Sequence, residues 1–240
     1  MLSIIYNNQD SNKVYGLYLE NIPTFPSLNA IYETTDLSGR DGSLNIFDKY
    51  PDLEIQIDFI LICSRKEILS KKNRIIAWLN SSSNKELYYS EDSSTFYNIK
   101  KVNLTDFKPE GSKVWKFSVT FTVEPFSYLI EGKEIISLTR ATSIYNGKST
   151  YISKPYIKIY GSGDINIIIN NRTTIFKGID GFIEIDSKEM NCYKNINGNI
   201  NNYNNLMYSY NFPYLDPGEN NVSWSGNASK IEIIPRWCCL

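Results

Sequence analysis

Between Val114 and Glu124 the chain alternates without a break. Trp115, Phe117, Val119, Phe121 and Val123 fall on one side; Lys116, Ser118, Thr120, Thr122 and Glu124 fall on the other. A period of two places these sets on opposite faces of a strand, one buried and one wet. Leu53 to Ile62 repeats the pattern, with Leu53, Ile55, Ile57, Phe59 and Leu61 opposed by Glu54, Gln56 and Asp58. Both segments call for a half-buried antiparallel sheet. Pro125 is expected to stop the Val114–Glu124 strand, because a proline cannot continue a ladder. Between the two, Ser64-Arg65-Lys66-Glu67 reads as a capping box that opens a helix reaching about Leu79. Its apolar stripe would be Ile68, Leu69, Ile75, Ile76 and Leu79, and Ser81-Ser82-Ser83-Asn84 would end it. No other helix is expected.

Shorter strands are expected at Ile4–Tyr6, Val14–Leu19, Leu87–Ser90 and Phe96–Val102. The stretch from about 23 to 47 has weak periodicity and forms a long arm. Its tip is Ser38-Gly39-Arg40-Asp41-Gly42, where two glycines flank an Arg-Asp pair in a tight, exposed turn. Arms of that length are uncommon in compact domains and are often functional.

A polar passage around residue 130 marks a boundary, giving domains of 1–130 and 131–240. Beyond it, short β segments recur between turns: Tyr156–Tyr160, a turn at Gly161-Ser162-Gly163-Asp164, Ile165–Ile169, a two-residue hairpin turn at Asn170-Asn171, Arg172–Phe176 and Phe182–Asp186. Asn191 to Asn211, with nine asparagines in 21 residues, reads as a long loop. Then Asp216-Pro217-Gly218 offers a type II turn, proline presetting φ and glycine accepting a positive one. It feeds a strand carrying Val222 and Trp224 on one face. Strands at regular spacing with turns between them indicate an antiparallel sandwich.

Composition removes whole classes of function. The chain of 240 residues has no histidine, which excludes Ser–His–Asp and Cys–His catalysis and every His-based metal site. A net charge of −1 argues against gripping nucleic acid through its phosphates. The four cysteines, Cys63, Cys192, Cys238 and Cys239, show no CxxC spacing, so reduced thiols and no structural zinc are expected. No cofactor is expected. The start lacks a basic region and a long apolar core, and the longest apolar run is about Phe59–Cys63. A soluble protein made in the cytoplasm, without membrane insertion, is expected.

Three clusters carry chemistry on paper. Gly161-Ser162-Gly163-Asp164 lacks the glycines, Lys and Ser/Thr of a phosphate loop, and no helix follows it, so a β-turn is the better reading. Asp180, Glu184, Asp186 and Glu189 suggest a calcium site or a glycosidase pair. They lie on or beside one strand, with Glu184 and Asp186 on a shared face and no visible cleft, which favours solvent-facing charge. Trp224, Trp237 and the tyrosines of Tyr208-Ser209-Tyr210 could stack on sugars, though core packing is the commoner use of a strand Trp.

The ordered set of segments resembles the distal tail protein (Dit) family of tailed bacteriophages. It consists of Pro155-Tyr156-Ile157-Lys158-Ile159-Tyr160-Gly161-Ser162-Gly163-Asp164-Ile165, then Phe182-Ile183-Glu184-Ile185-Asp186-Ser187. Next come Phe212-Pro213-Tyr214-Leu215 and Pro217-Gly218-Glu219-Asn220-Asn221-Val222-Ser223-Trp224-Ser225-Gly226, and last Ile231-Glu232-Ile233-Ile234-Pro235-Arg236-Trp237. The first half is similar in layout, with Gly39-Arg40-Asp41-Gly42 in the arm and a helix ending in Ala77-Trp78-Leu79.

That resemblance implies a mainly β protein. The N-terminal part would be a β-sandwich or barrel-like ring domain with one α-helix and an extended arm, and the C-terminal part a galectin-like antiparallel β-sandwich. It implies a structural, non-enzymatic component of the tail tip, a hexameric ring around a channel for DNA. The ring would join the tail tube protein to the tail-associated hub protein and give receptor-binding devices a docking surface. Assembly would occur in the bacterial host cytoplasm. Gly39, Arg40, Asp41 and Gly42 are the candidate inter-subunit arm. Phe212, Pro213, Pro217, Gly218, Trp224 and Trp237 are the candidate frame of the C-terminal domain. Two other classes are kept in view: a carbohydrate-binding module acting through the C-terminal sandwich, and a glycoside hydrolase.

Overall fold

The two alternating segments of the first half pair with each other. The computed structural model describes residues 2–81 and 84–240 and divides into two compact units, Met1–Ser127 and Tyr128–Leu240. The first contains β1 (Ile4–Tyr6), β2 (Gln9–Asp10), α1 (Ser11–Tyr15), β3 (Leu17–Leu19), β4 (Ile31–Asp36), β5 (Ser43–Lys49), β6 (Leu53–Ile62), α2 (Ile68–Leu79), β7 (Glu86–Tyr89), β8 (Asp92–Leu104), β9 (Lys108–Glu110) and all but the end of β10 (Val114–Leu129). Its main sheet runs β2-β1-β7-β8-β10-β6-β3, with β9 on β10; β4 and β5 form a separate two-stranded sheet.

Antiparallel register sets Phe117 opposite Phe59, Val119 opposite Ile57 and Phe121 opposite Ile55, all buried. On the other face Ser118 stands opposite Asp58 and donates its hydroxyl to that carboxylate at 2.6 Å. Helix α2 adds Ile68, Ile75, Trp78 and Leu79 to the same core. The Trp78 indole N–H donates to the Tyr6 carbonyl at 2.9 Å, and Tyr6 meets Phe121 edge-on.

Four expectations for this half need correction. Strand β10 runs through Pro125 to Leu129. Its last pair with β6 is Val123–Leu53, so the missing N–H at 125 removes nothing from that ladder. Helix α2 starts at Ile68 rather than at Ser64. The Ser64 N–H and hydroxyl both donate to Glu67, at 3.0 and 2.6 Å, which tightens a turn ahead of the helix. The apolar stripe also differs from the expected one: Leu69 is exposed, and Trp78 is buried beside Ile68, Ile75 and Leu79. Val14 and Tyr15 belong to a second helix, the single turn α1. There Asp10 accepts from the N–H groups of Asn12 and Lys13, and Gly16 closes the turn at φ +67°. Of the residues expected to end α2, Ser82 and Ser83 lie outside the described residues; the helix closes at Asn80.

The second unit contains β11 (Ile136–Leu138), β12 (Thr142–Asn146), β13 (Tyr156–Ile169), β14 (Arg172–Ile179), β15 (Phe182–Asp186), β16 (Asn191–Ile196), β17 (Asn199–Asn202), β18 (Gly218–Ile234) and β19 (Cys238–Cys239). Its sheet runs β11-β18-β13-β15-β16-β17, with β12 on β18 and β14 on β13. Two long strands organise it. β13 pairs from Tyr156 to Ile169 with the Ile234 to Val222 part of β18. The first half of β13 takes β15 as its other neighbour and the second half takes β14; β18 likewise takes β12 first and β11 last.

The switch of neighbours happens at a bend. Gly161-Ser162-Gly163-Asp164 is not a turn between two strands but an irregularity within β13, matched by Gly226–Ala228 on β18. The backbones touch there. A Cβ on Gly161 would lie 2.3 Å from the Asn227 carbonyl oxygen, and one on Gly226, at φ +92°, 2.2 Å from that of Asp164. Only glycine allows so close a crossing. Around the bend Ile157, Ile159, Ile165, Ile167, Ile183, Ile185, Ile231 and Ile233 fill the core. Asn170-Asn171 turns the β13–β14 hairpin with both residues at positive φ, 48° and 66°, as a type I′ turn requires. The asparagine-rich stretch is not one long loop: β16 and β17 form a hairpin in it, turned by Asn197-Gly198, again both at positive φ. An Asn-Gly pair is a strong hairpin sign, masked here by the polar composition around it.

Candidate assembly surface and outer-unit frame

Strands β4 and β5 pair from Ile31–Lys49 to Asp36–Ser43 and, among the described residues, pair with no other strand. Gly39 and Gly42 adopt φ of +83° and +80° at the tip, and the Arg40 N–H donates to the Leu37 carbonyl. Arg40 and Asp41 sit exposed between them. The sequence-predicted tip is thus a hairpin turn.

The arm leading to it is apolar as well as exposed. Tyr32 and Phe47 cross edge-on at 6.1 Å and stay 56% and 48% exposed; Ile31, Leu37 and Ile46 are exposed too. Thr34 donates to Asn45 at 2.8 Å beside them. From Phe47 a run of edge contacts continues through Tyr50 to Phe126 and fixes the hairpin's base within its own unit. A two-stranded hairpin is marginal by itself in water. One with large apolar side chains outside is a surface prepared for a partner.

In the second unit the predicted frame residues have distinct duties. Gly218 takes φ +86° in the predicted turn. The fully buried Asn220 closes that turn: its amide donates to the Asp216 carbonyl at 2.8 Å and its oxygen accepts from the Asp216 N–H at 2.8 Å. Arg172 donates to the Asp216 carboxylate at 2.8 Å, and its guanidinium lies 3.8 Å over the Tyr214 ring. Burial raises the Asp216 carboxyl, but hydrogen bonds from Arg172 and Asn170 outweigh it and leave the group below its ordinary range. Pro213 is buried and Phe212 half-buried, while Pro217 is exposed at the turn. Trp237 is buried. Trp224 is half-buried against the core, with its indole N–H donating to the Ala228 carbonyl at 3.3 Å.

Of the four acidic candidates Asp180 and Glu189 are exposed, but Glu184 and Asp186 are buried and bonded rather than solvent-facing as expected. Asp186 holds Arg236 through two bonds of 2.6 and 2.8 Å and also accepts from the N–H groups of Lys188 and Glu189. Burial opposes its charge, yet these donors prevail and hold the carboxyl below the usual carboxylate range. The pair also holds Arg236 at φ +54°, a left-handed backbone, while the Arg236 N–H donates to the Gly132 carbonyl. Glu184, buried on the same face, accepts from the Tyr156 hydroxyl, Lys158 and the Asn195 N–H. Burial, and then that bond to Glu184, push the Tyr156 hydroxyl well above its ordinary value. Among the described residues no three His, Cys, Asp or Glu converge as a metal site. Sequence reasoning missed Asn220, Arg172 and the Asp186–Arg236 pair as frame elements. Arg172 and Arg236 find their carboxylates 44 and 50 residues away in the chain, beyond any local pattern.

Residues 12–123 match the family model of the phage tail protein RIFT-related domain. The first unit is thus similar to that phage tail domain over most of its length. The whole chain has the fold of the Dit protein of phage SPP1. It is 11% identical to that crystal structure with a TM-score of 0.67, over 97% of this chain and 98% of that one. Two structures of the phage P2 baseplate in its activated conformation, with Ca and with Sr, also match, at 10% and 12% identity. Their TM-scores are 0.49 and 0.48; the first covers 97% of each chain, the second 94% of this chain and 92% of that one. No curated protein sequence matches. Together the domain match and the fold bear out the resemblance found in the sequence: the chain is mainly β, with a Dit-like fold and a phage-tail domain match in its first unit. No helix of the described residues is long and apolar enough to cross a membrane.

Proposed function

We propose that this chain is a structural hub of the phage tail tip. Six copies form a ring through the first unit around a channel for DNA. The ring joins the tail tube to the tail-associated hub protein and offers docking sites to host-adsorption devices. It is built in the host cytoplasm and is not an enzyme. The SPP1 protein is described as a paradigm of the hub adsorption apparatus in phages that infect Gram-positive bacteria, and the shared fold supports the same role here.

The observation that carries the ring is the β4–β5 hairpin, exposed along both strands with Tyr32 and Phe47 outward. A ring needs a heterologous interface whose rotation closes, so each subunit must present a projecting element to a different surface on the next. Arg40, between Gly39 and Gly42 and beside Asp41, sits at the far end of that projection. A net charge of −1 supports a channel that lets DNA pass without holding its phosphates.

Deletion of residues 36–44 tests the reading. Native mass spectrometry should show the ring lost and a folded monomer left. Intact hexamers after the deletion would refute the arm's role.

A further inference from the structure

The second unit carries a groove that the ring reading leaves unused. Its volume is about 600 Å³, within the range of small-molecule sites, and Lys154, Ser187, Met190, Tyr210, Asn211 and Phe212 line it. We propose that this groove is a saccharide-binding site for a sugar bearing an acidic substituent, with Tyr210 as its stacking platform and Lys154 as its cation.

The walls are fixed at the backbone. Ser187 N–H donates to the Pro155 carbonyl, next to Lys154. The turn after Ser187 is held by Asp186, which accepts from two of its N–H groups while locked to Arg236. Across the groove, Tyr208 N–H donates to Ile175, Leu215 exchanges both backbone bonds with Ser153, and the Ser209 hydroxyl accepts from the Ile175 N–H. A site framed this way is preformed and loses little freedom when it binds.

Three features within that frame point to a ligand. Tyr210 is 98% exposed, although loop tyrosines of this unit such as Tyr214 are covered by a neighbour. Both its ring faces are open. The Ser187 hydroxyl is buried and has no hydrogen-bond partner among the described residues. Such a group is costly to leave unpaired, and it both donates and accepts, as a sugar hydroxyl does. Met190, on the rim, is held at φ +51°, a backbone strain of the kind that collects at binding sites.

The chemistry favours a sugar over a peptide. The backbone on either side of the Tyr210 loop is already paired, so an extended peptide finds no strand edge there to join. Aromatic faces beside an amide, a hydroxyl and one cation suit the apolar face, the hydroxyls and the acidic group of a sugar ring. Of the aromatic residues the sequence offered for this purpose, Trp224 and Trp237 are engaged in packing, which leaves the Tyr208–Tyr210 segment.

This inference does not depend on the ring. The test is a glycan array of neutral, uronic-acid-bearing and phosphate-bearing bacterial saccharides, probed with the full chain and followed by titration calorimetry on the best binder. The expected result is selective binding to acidic sugars. Tyr210→Ala should weaken it by about tenfold or more, with unchanged thermal unfolding because the side chain is solvent-exposed. Lys154→Gln should remove the preference for acidic over neutral sugars. An array without binding, or binding that both variants retain, overturns the proposal. So does capture of tyrosine- or proline-rich peptides at the groove without any glycan, which would assign it to a protein partner instead.

Discussion

The bend shared by β13 and β18 gives the sharpest quantitative prediction, because its glycines separate two kinds of strain. Gly163 has φ +79° and open space where a Cβ would go. Gly163→Ala therefore incurs only the left-handed backbone penalty, about 1–2 kcal/mol. Gly161 has an ordinary φ, but its Cβ would lie 2.3 Å from Asn227 O and 2.9 Å from Ala228 Cα. Gly161→Ala incurs only the clash, about 1–3 kcal/mol as for overpacking, since the obstacle is backbone that cannot swing aside. Gly226 combines φ +92° with a contact of 2.2 Å to Asp164 O, so Gly226→Ala should cost about 2–5 kcal/mol, the sum of both. A chain of two units need not unfold in a single step. The assay is therefore urea unfolding read by pulsed hydrogen exchange on peptides from residues 128–240. The expected order is Gly226→Ala worst, with the other two near half its effect. Equal losses at Gly226 and Gly163 would show that the strands do not cross closely, and the account of the bend would fail.

Other outcomes follow from the frame and the buried thiols. Asp186→Asn should destabilise the second unit by about 3 kcal/mol, as breaking one side of a buried pair does. The Asp186 carboxyl is depressed in the folded state, so its contribution is complete above the unfolded value of about 3.9 and fades as pH falls through the lower folded value. Acid unfolding curves of Asp186→Asn should therefore be flatter below pH 4 than those of the parent, and parallel curves would count against the pair. Trp224→Ala should cost about 2–3 kcal/mol in the same unit, less than for a fully buried Trp; unchanged thermal stability would remove Trp224 from the frame. Burial pushes the Cys192 and Cys238 thiols up to about 12 and about 11. At pH 8 iodoacetamide should leave both unmodified in the native chain, and mass-spectrometric labelling at the rate of the urea-unfolded chain would contradict their burial.

The legible parts of this fold are those whose cause is local. Alternation from Leu53 and from Val114 identified the paired central strands, because a period of two is imposed by the backbone itself. Asn170-Asn171 and Pro217-Gly218 were readable because positive φ restricts residue choice. Where local signs conflicted, tertiary context decided. Pro125 reads as a stop only if its N–H was needed, and β6 has already ended there. Gly161-Ser162-Gly163 has the composition of a turn, but Gly161 serves a close crossing with a strand over 60 residues later, and Gly163 takes the positive φ of the bend. The arm's exposure was foreseen from its glycines. Its apolar surface and the groove under Tyr210 depend on which side chains are left uncovered, and no window of sequence reports that.

The central claim, that this protein is the ring at the tip of a tail, is tested most directly on assembled particles. Gold-labelled antibody against the chain, viewed by negative-stain microscopy, should mark only the distal end of the tail, with a six-fold ring in averaged end views. Label along the tube or on the capsid would contradict the account.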